Sequence, residues 1–377
     1  MPRPATEARA TPPAFGGRLD GLQVLRFFAA FSVLFGHALH EALSFGFAGG
    51  QSVLATVDGW NFGSGVDVFF VLSGFLMFYI SAASFGTAEA QPKFLMRRIV
   101  RLVPLYWLFT AAMLVATLAF PAQLAHATLS VPHVLASFAF VPWLDSTALP
   151  HPLLGLGWTL NYEMFFYLLF SFALLLPLRQ GLGALVVLFA ALVAANPLIG
   201  ANWVQLKFWS DPIILEFLFG VGLAVLFRRG VVLARGAAIA AVLAGAIGLA
   251  IAPLWPLAGP MLRPLTAGVP AALLVAAAAS LSNGRLSRAG QLLVLGGDAS
   301  YALYLSHPFS INLVVLVWQK LHLASPWLFA LSAIAAAVLV SVTVHLALER
   351  PLTRWLHRLV DTPRRDRAST FGTAAAK

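Results

Sequence analysis

Long apolar segments alternate with short polar connections along this chain, and the first apolar segment is polar on one face. It runs from Leu22 to Leu43 and contains Arg26 and His37. Eleven residues make about three helical turns, so these two side chains share a face and lie roughly 16 Å apart. His40 and Glu41 fall near the same face. Because an ionisable group at the centre of a membrane helix costs about 2.5–3.5 kcal/mol, this face is predicted to line a polar cavity.

Apolar segments of about 17–25 residues, long enough to cross a bilayer, recur along the whole sequence. The chain is 60% hydrophobic and 10% charged, which excludes an ordinary soluble domain. The pattern therefore predicts an all-α, polytopic integral membrane protein with about ten transmembrane helices. The predicted spans are 22–42, 66–84, 102–120, 158–177, 182–200, 212–228, 236–253, 264–282, 296–318 and 327–348.

The positive charges predict the orientation of these spans. If the N-terminus is inside, 20 of the 24 Lys and Arg residues fall in inner segments and three fall in outer segments. Such a bias is typical of cytoplasmic loops, so both termini are predicted to be cytoplasmic. It also accounts for the net charge of +10 without a nucleic-acid partner. We expect residues 1–18 to form a disordered cytoplasmic lead, 19–358 the membrane domain and 359–377 a basic cytoplasmic tail.

Three charged residues at the ends of the second and third spans are candidates for a site. Arg98 and Arg101 lie three residues apart and face one way where the third span begins. Arginine forks can bind two phosphate oxygens at once, although arginines here could also be ordinary membrane anchors. Asp67 lies at the outer entry of the second span. It could serve the site or simply favour the helix dipole.

Two further spans carry polar residues. Glu163 lies at about the depth of His37, and a carboxylate beside an imidazole makes it a better base. A structural role for Glu163 is the alternative. Supporting polar positions are Ser300, Tyr304 and His307, which form one stripe on the ninth span. A structural role for His307 is equally consistent with its position.

Other polar features have simpler interpretations. Glu216 is an intramembrane acid with no role that physical reasoning assigns, and Glu349-Arg350-Pro351 is read as a stop signal. The outer loop 121–157 could cap a site, contact an acceptor or lie at the membrane interface. The absence of cysteine excludes a cysteine nucleophile. No metal site is predicted, because His37 and His40 are more simply part of a polar face.

At these residues the chain resembles acyltransferase family 3, multi-span bacterial enzymes that O-acylate exopolysaccharides, O-antigens, Nod factors and some small molecules. The resemblance covers about 18–358, and its exopolysaccharide-production subgroup is the most similar. The motifs that carry it are LDGLQVLRFFAAFSVLFGH, GVDVFFVLSGF, RRIVRLVPLYW, GWTLNYEMFFY and SYALYLSH, in this order.

The resemblance implies an O-acyltransferase in the bacterial inner membrane that uses acyl-CoA as a donor substrate and has no bound cofactor. It implicates Arg26, Arg98 and Arg101 in acyl-CoA binding. His37 is the expected catalytic base or transient acyl carrier. Glu163, or otherwise Asp67, is expected to orient it. Acetyl is the expected group, and a polysaccharide or glycolipid hydroxyl the expected acceptor. The alternative is a multi-span transporter or flippase for a sugar-lipid or small acid.

Overall fold

A computed structural model describes residues 18–44, 62–119, 129–254, 259–282 and 286–361, and within these ranges the protein is helical without a strand. The predicted lead up to residue 17, the tail from residue 362 and His126 lie outside the described residues. The helices are α1 Asp20–Ser44, α2 Gly65–Ser81, α3 Ala90–Ala119, α4 Val131–Phe138, α5 Trp158–Ala173, α6 Leu178–Ala195, α7 Val204–Trp209, α8 Leu215–Arg228, α9 Arg235–Ile251, α10 Val269–Ser280, α11 Arg288–Asp298, α12 Ser300–Leu321, α13 Pro326–Val344 and α14 Arg350–Asp361.

Helices cover all ten predicted spans, but they differ in length. Seven described helical segments are long and apolar enough to cross a membrane. The other three predicted spans correspond to α5, α8 and α9, which have 16, 14 and 17 residues. Helices of this length fall short of the roughly 20 residues that a bilayer core requires. The multi-pass architecture is therefore confirmed, and the number ten stays a prediction.

The most buried helix is α2, which lies at the centre of the bundle. All of its residues are buried except Phe69, Leu76 and Ile80. It packs against α1, α8 and α10. Helices on the outside of the bundle instead expose leucines, such as Leu331 and Leu339 on α13. An apolar exterior around a packed centre is the arrangement that a lipid environment favours.

The close packing of α2 on α8 depends on two glycines. A Cβ at Gly74 would overlap the carbonyl oxygen of Phe217, and one at Gly220 would overlap that of Val71. Neither obstacle can move without shifting a helix backbone. Small residues at such crossings let two membrane helices approach closely, because packing rather than hydrophobic driving force holds them together.

Both ends of the described chain meet at one end of the bundle. One open chamber there is lined by Arg18 and Gln23 near the start of α1 and by Glu349 and Arg350 beyond α13. Between α13 and α14 the chain forms a π-helical turn, His345–Glu349. The start of α1 and the end of α13 thus lie on the same side of the bundle.

Part of the predicted outer loop is folded against α3. The Tyr106 hydroxyl donates to the Ser137 carbonyl at 2.9 Å, and the Trp107 indole donates to the Phe138 carbonyl at 2.8 Å. Farther along, partial burial alone would raise the pKa of Asp145. Hydrogen bonds from Thr147 and Leu149 outweigh it and hold that pKa below its ordinary value. Hydrogen bonds therefore hold the described part of the loop in two places, at α4 and at the turn around Asp145.

We expect Gly220→Ala to destabilise the bundle by about 1–3 kcal/mol, because its Cβ would force α2 and α8 apart. The matched control is Gly222→Ala on the same helix, where a Cβ meets no atom within 4 Å. That change should be neutral or stabilising by up to about 1 kcal/mol through helix propensity. Thermal unfolding in detergent measures both, and equal melting temperatures for the two variants would contradict the packing argument.

Candidate active site

A cavity with several polar groups on its wall lies inside the bundle between α1, α2, α3, α5 and α12. Its volume is about 100 Å³, and most of its wall is apolar. The polar residues on the wall are Arg26, Ser73, Arg98, Arg101, Thr159, Glu163, Tyr167, Ser300 and Tyr304. The cavity therefore brings together all three predicted arginines, the predicted glutamate and two of the three supporting positions.

Glu163 is held by two hydroxyl groups. Ser73 donates to its carboxylate at 3.2 Å, and Tyr167, one turn further along α5, also donates to it. The Arg98 guanidinium is close enough to interact with the charges of Glu163 and Tyr167, and it also lies 5.8 Å from the centre of the Phe94 ring. These four polar residues link α2, α3 and α5 through one charge-compensated cluster on the cavity wall.

His37 pairs with His307 in this structure rather than with the predicted Glu163. The Nδ1 atom of His37 lies 3.2 Å from Nε2 of His307. The Nδ1 atom of His307 in turn lies 2.9 Å from the Leu303 carbonyl oxygen. Glu163 makes its described hydrogen bonds within α5 and to α2.

This geometry fixes the tautomers of both neutral imidazoles. A carbonyl oxygen only accepts, so Nδ1 of His307 carries the proton and donates to Leu303. The unprotonated Nε2 of His307 then accepts from Nδ1 of His37. The lone pair of the His37 ring is thereby left on its other nitrogen, Nε2. The pair presents one basic nitrogen with a defined orientation.

The His307 ring bonds to its own helix directly before a proline. Pro308 supplies no backbone N–H to the Tyr304 carbonyl four residues earlier, and the Leu303 carbonyl beside it accepts from the His307 ring. His307 is fully buried and bonds back to its own helix, whereas His37 is exposed. A fixed ring thus supports an accessible one.

The two other supporting positions lie on the cavity wall. The Tyr304 hydroxyl lies 2.9 Å from the Leu156 carbonyl and 2.8 Å from the Thr159 hydroxyl, which joins α12 to α5. Its ring centre is 6.2 Å from that of His307. Ser300 Oγ and Arg98 Nε are buried and have no hydrogen-bond partner among the described residues. Unsatisfied polar atoms on a cavity wall indicate a place for a polar ligand or water.

Asp67, the second residue predicted to orient His37, is engaged elsewhere. Its carboxylate accepts from Arg263 at 2.8 and 3.3 Å and is almost completely buried. Glu216 is also fully buried, and its carboxyl oxygens have no hydrogen-bond partner within the described residues. Asp67 and Glu216 are near enough to interact directly. The structure therefore separates an ionic cluster around Arg263 from the arginine-lined cavity.

The comparisons with known proteins bear on this site. A family model described as an acyltransferase domain, that of acyltransferase family 3, matches residues 19–346. The chain belongs to this family. The match covers every residue of the cavity wall and both histidines of the pair.

Named relatives agree with the family. The exopolysaccharide production protein ExoZ of Rhizobium meliloti (strain 1021) is 37% identical over 297 residues, which is 77% of this chain and 89% of the relative. The acyltransferase MdmB of Streptomyces mycarofaciens is 29% identical over 381 residues, covering 90% of this chain and 93% of the relative. YrhL of Bacillus subtilis (strain 168), whose name includes peptidoglycan O-acetyltransferase, is 28% identical over 228 residues, 55% of this chain and 33% of the relative. No solved structure matches.

The protein is accordingly an acyltransferase of family 3 with a multi-pass membrane domain. Sequence reasoning had not assigned Ser73 and Tyr167, which lie on the cavity wall, or Arg263, the partner of Asp67 outside the cavity. The spacing of Glu163 and Tyr167, one helical turn apart, was a readable signal for their bond. No comparable signal links Asp67 to Arg263, which lie 196 residues apart in this acyltransferase.

We expect Asp67→Asn and Arg263→Gln in this acyltransferase each to destabilise the fold. Charge-assisted hydrogen bonds contribute about 1.5–3 kcal/mol, and the 38% exposure of Arg263 reduces this to about 1–2 kcal/mol. A double-mutant cycle on thermal stability in detergent should show coupling of that size. Strictly additive losses would mean that the two residues act independently.

Proposed function

We propose that the protein transfers an acyl group, with acetyl as the expected group, from cytosolic acyl-CoA to a hydroxyl of an exported polysaccharide or a glycolipid. The polysaccharide class of the acceptor is supported by the similarity to the exopolysaccharide production protein. The CoA thioester is supported by the arrangement of charges along the cavity.

The observation that carries the proposal is the order of groups along one path. Arg26 and Arg101 line both the open chamber at the end of the bundle and the interior cavity. The cavity extends to Tyr304. The ring centre of Tyr304 lies 6.2 Å from that of His307, the partner of His37. Anion-binding groups thus lie at one end and a base at the other. Roughly 16 Å of α1 separate Arg26 from His37, a span comparable to an extended pantetheine arm.

The proposed reaction uses Nε2 of His37 as a general base. The acceptor hydroxyl loses its proton to Nε2 as its oxygen attacks the thioester carbonyl carbon. The carbon–sulfur bond breaks, and the thiolate takes up a proton to leave as free CoA. A positioned base of this kind contributes typically 10²–10⁴-fold to the rate. Transfer by way of an acyl-imidazole on His37 uses the same residues in two steps and stays an alternative.

The orientation of the protein supports a donor from the cytosol. The arginine chamber lies at the end of the bundle where α1 begins and α14 starts. The distribution of Lys and Arg along the chain favours that end as the cytoplasmic one. His37 lies about three helical turns along α1 from Arg26, and we place it toward the side from which an exported acceptor would approach. The family assignment favours this enzyme over the transporter alternative.

Turnover of the thioester tests the proposal directly. Purified protein in liposomes should release CoA from acetyl-CoA when crude glycolipid and polysaccharide are supplied. His37→Ala should reduce release at least 10²-fold because it removes the base. His40→Ala, on the same helix and also exposed, is the matched control and should keep the wild-type rate. CoA release that is equal in wild type and His37→Ala would overturn the role of this histidine.

His307→Phe tests the positioning of the base. Phenylalanine keeps a ring in the buried site but cannot accept from Nδ1 of His37. We expect kcat to fall about 10- to 100-fold, the usual cost of losing a partner that orients a functional histidine, while KM for acetyl-CoA stays unchanged. Steady-state kinetics separate the two parameters. A rise in KM with unchanged kcat would instead place His307 in donor binding.

A further inference from the structure

The chamber at the inner end of the bundle is more basic than the sequence motifs indicate. Its wall carries five guanidinium groups and two carboxylates. The guanidinium groups belong to Arg18, Arg26, Arg101, Arg350 and Arg354. Arg350 belongs to the Glu349-Arg350-Pro351 segment that reads in the sequence as a stop signal for the last span, and Arg354 follows it by one helical turn.

The carboxylates of the chamber are already engaged. Asp298 accepts from Arg18 at 2.9 and 3.0 Å, and Glu349 lies 2.8 Å from Nδ1 of His345. These pairs engage Arg18, and the chamber still holds more guanidinium groups than carboxylates. Within the described part of the chain, Arg101, Arg350 and Arg354 make no hydrogen bond or ion pair.

Like charges also face each other across the chamber. Among the described residues Arg26 donates only to the neutral amide of Gln23, at 3.3 Å. The charge of Arg101 repels it, and the charges of Glu349, Glu163 and Asp298 offset part of that repulsion. With five guanidinium groups and two carboxylates on its wall, the chamber keeps an excess of positive charge that attracts an anion. Phosphate is the anion that several arginine forks match best, since each fork can bind two of its oxygens.

The geometry of the last span points the basic residues of α14 into the chamber. The π-helical turn His345–Glu349 connects α13 to α14, and α14 packs against α3. Arg350 and Arg354 are one turn apart and line the chamber, whereas Arg358 continues along the helix and does not. Single π-turns of this kind are frequent at functional sites.

The chamber is larger than the cavity, and the two spaces match a ligand with a large head and a slender tail. The chamber volume is about 360 Å³ and that of the interior cavity about 100 Å³. They share Arg26 and Arg101, so a ligand can pass from one into the other. A wide basic chamber that narrows into a mostly apolar passage fits a bulky polyphosphate head with a slender tail.

We propose that the chamber binds the phosphorylated nucleotide end of the thioester donor and that Arg350 and Arg354 of α14 are its phosphate-binding residues. The inference rests on the proposed function and adds to it residues outside the arginine motifs. Anionic lipid headgroups share this phosphate chemistry. A headgroup would contact the outer face of α14, including Arg358, whereas a nucleotide inside the chamber would depend on Arg350 and Arg354 alone.

The test compares ligands that lack successive parts of the phosphorylated nucleotide end: 3′-dephospho-CoA lacks one phosphate, and pantetheine lacks the whole nucleotide. CoA, 3′-dephospho-CoA and pantetheine are titrated against full-length protein in zwitterionic nanodiscs, as wild type, as the double variant Arg350→Gln/Arg354→Gln and as the control Arg358→Gln. We expect the double variant to bind CoA at least tenfold more weakly than wild type and to bind pantetheine equally well. The control should match wild type for all three ligands. Unchanged CoA affinity in the double variant, or an equal loss for pantetheine, would overturn the inference.

Kinetics and lipid composition complete the test. In the double variant, KM for acetyl-CoA should rise at least tenfold, while KM for acetyl-pantetheine and both kcat values stay near wild type. The opposite result is that the variants change activity only when anionic lipid is added and that Arg358→Gln behaves like the double variant. This result would assign these arginines to the membrane surface and refute the chamber site. A wild type that binds CoA through the chamber but releases none from acetyl-CoA would refute the proposed function and leave the chamber standing.

Discussion

Charged side chains inside an apolar bundle are the constraint on which the rest of this structure depends. Each one must be compensated, because lipid and packed helices offer no water to do so. Arg98 and Glu163 meet this requirement together with Ser73 and Tyr167, and Asp67 meets it with Arg263. The pairs tie helices that are distant in sequence. The same pairs remove those charges from the list of free catalytic groups, which leaves the histidine pair as the accessible base.

The constraint also explains what sequence reasoning could and could not reach. The apolar periodicity predicts helices at every span, and the costs of burial single out Arg26, His37, Arg98, Arg101 and Glu163. All but His37 lie on one cavity wall. Depth along a helix follows from residue counting at 1.5 Å per residue. Lateral neighbours do not, since they depend on which helices pack together. That is why counting residues along the helices did not reveal that His37 lies beside His307 and Glu163 beside Ser73.

The number of spans stays a prediction for a related reason. The three helices below full bilayer length, α5, α8 and α9, are apolar enough to resemble spans in the sequence. Short 3₁₀ turns such as Gly155–Gly157 and Pro212–Ile214 precede two of them. Hydropathy sums over turns and helix alike, so it cannot tell a full helix from a shorter one with an irregular start. Such irregular backbone is tolerated at membrane depth where protein covers it, as around the buried Ile213 and Ile214.

The division of cationic and neutral groups along the path has a chemical logic of its own. Guanidinium groups hold anions well but are poor bases, since they stay protonated at any accessible pH. Imidazole is the reverse: it can accept a proton near neutrality, and a neighbouring acceptor decides which nitrogen does so. In this protein that acceptor is another imidazole, itself fixed by a carbonyl in a helix interrupted by Pro308. A carboxylate in its place would bring a further charge into the apolar bundle. A neutral partner orients the base without that cost. The arginines can then balance the negative charge of the donor.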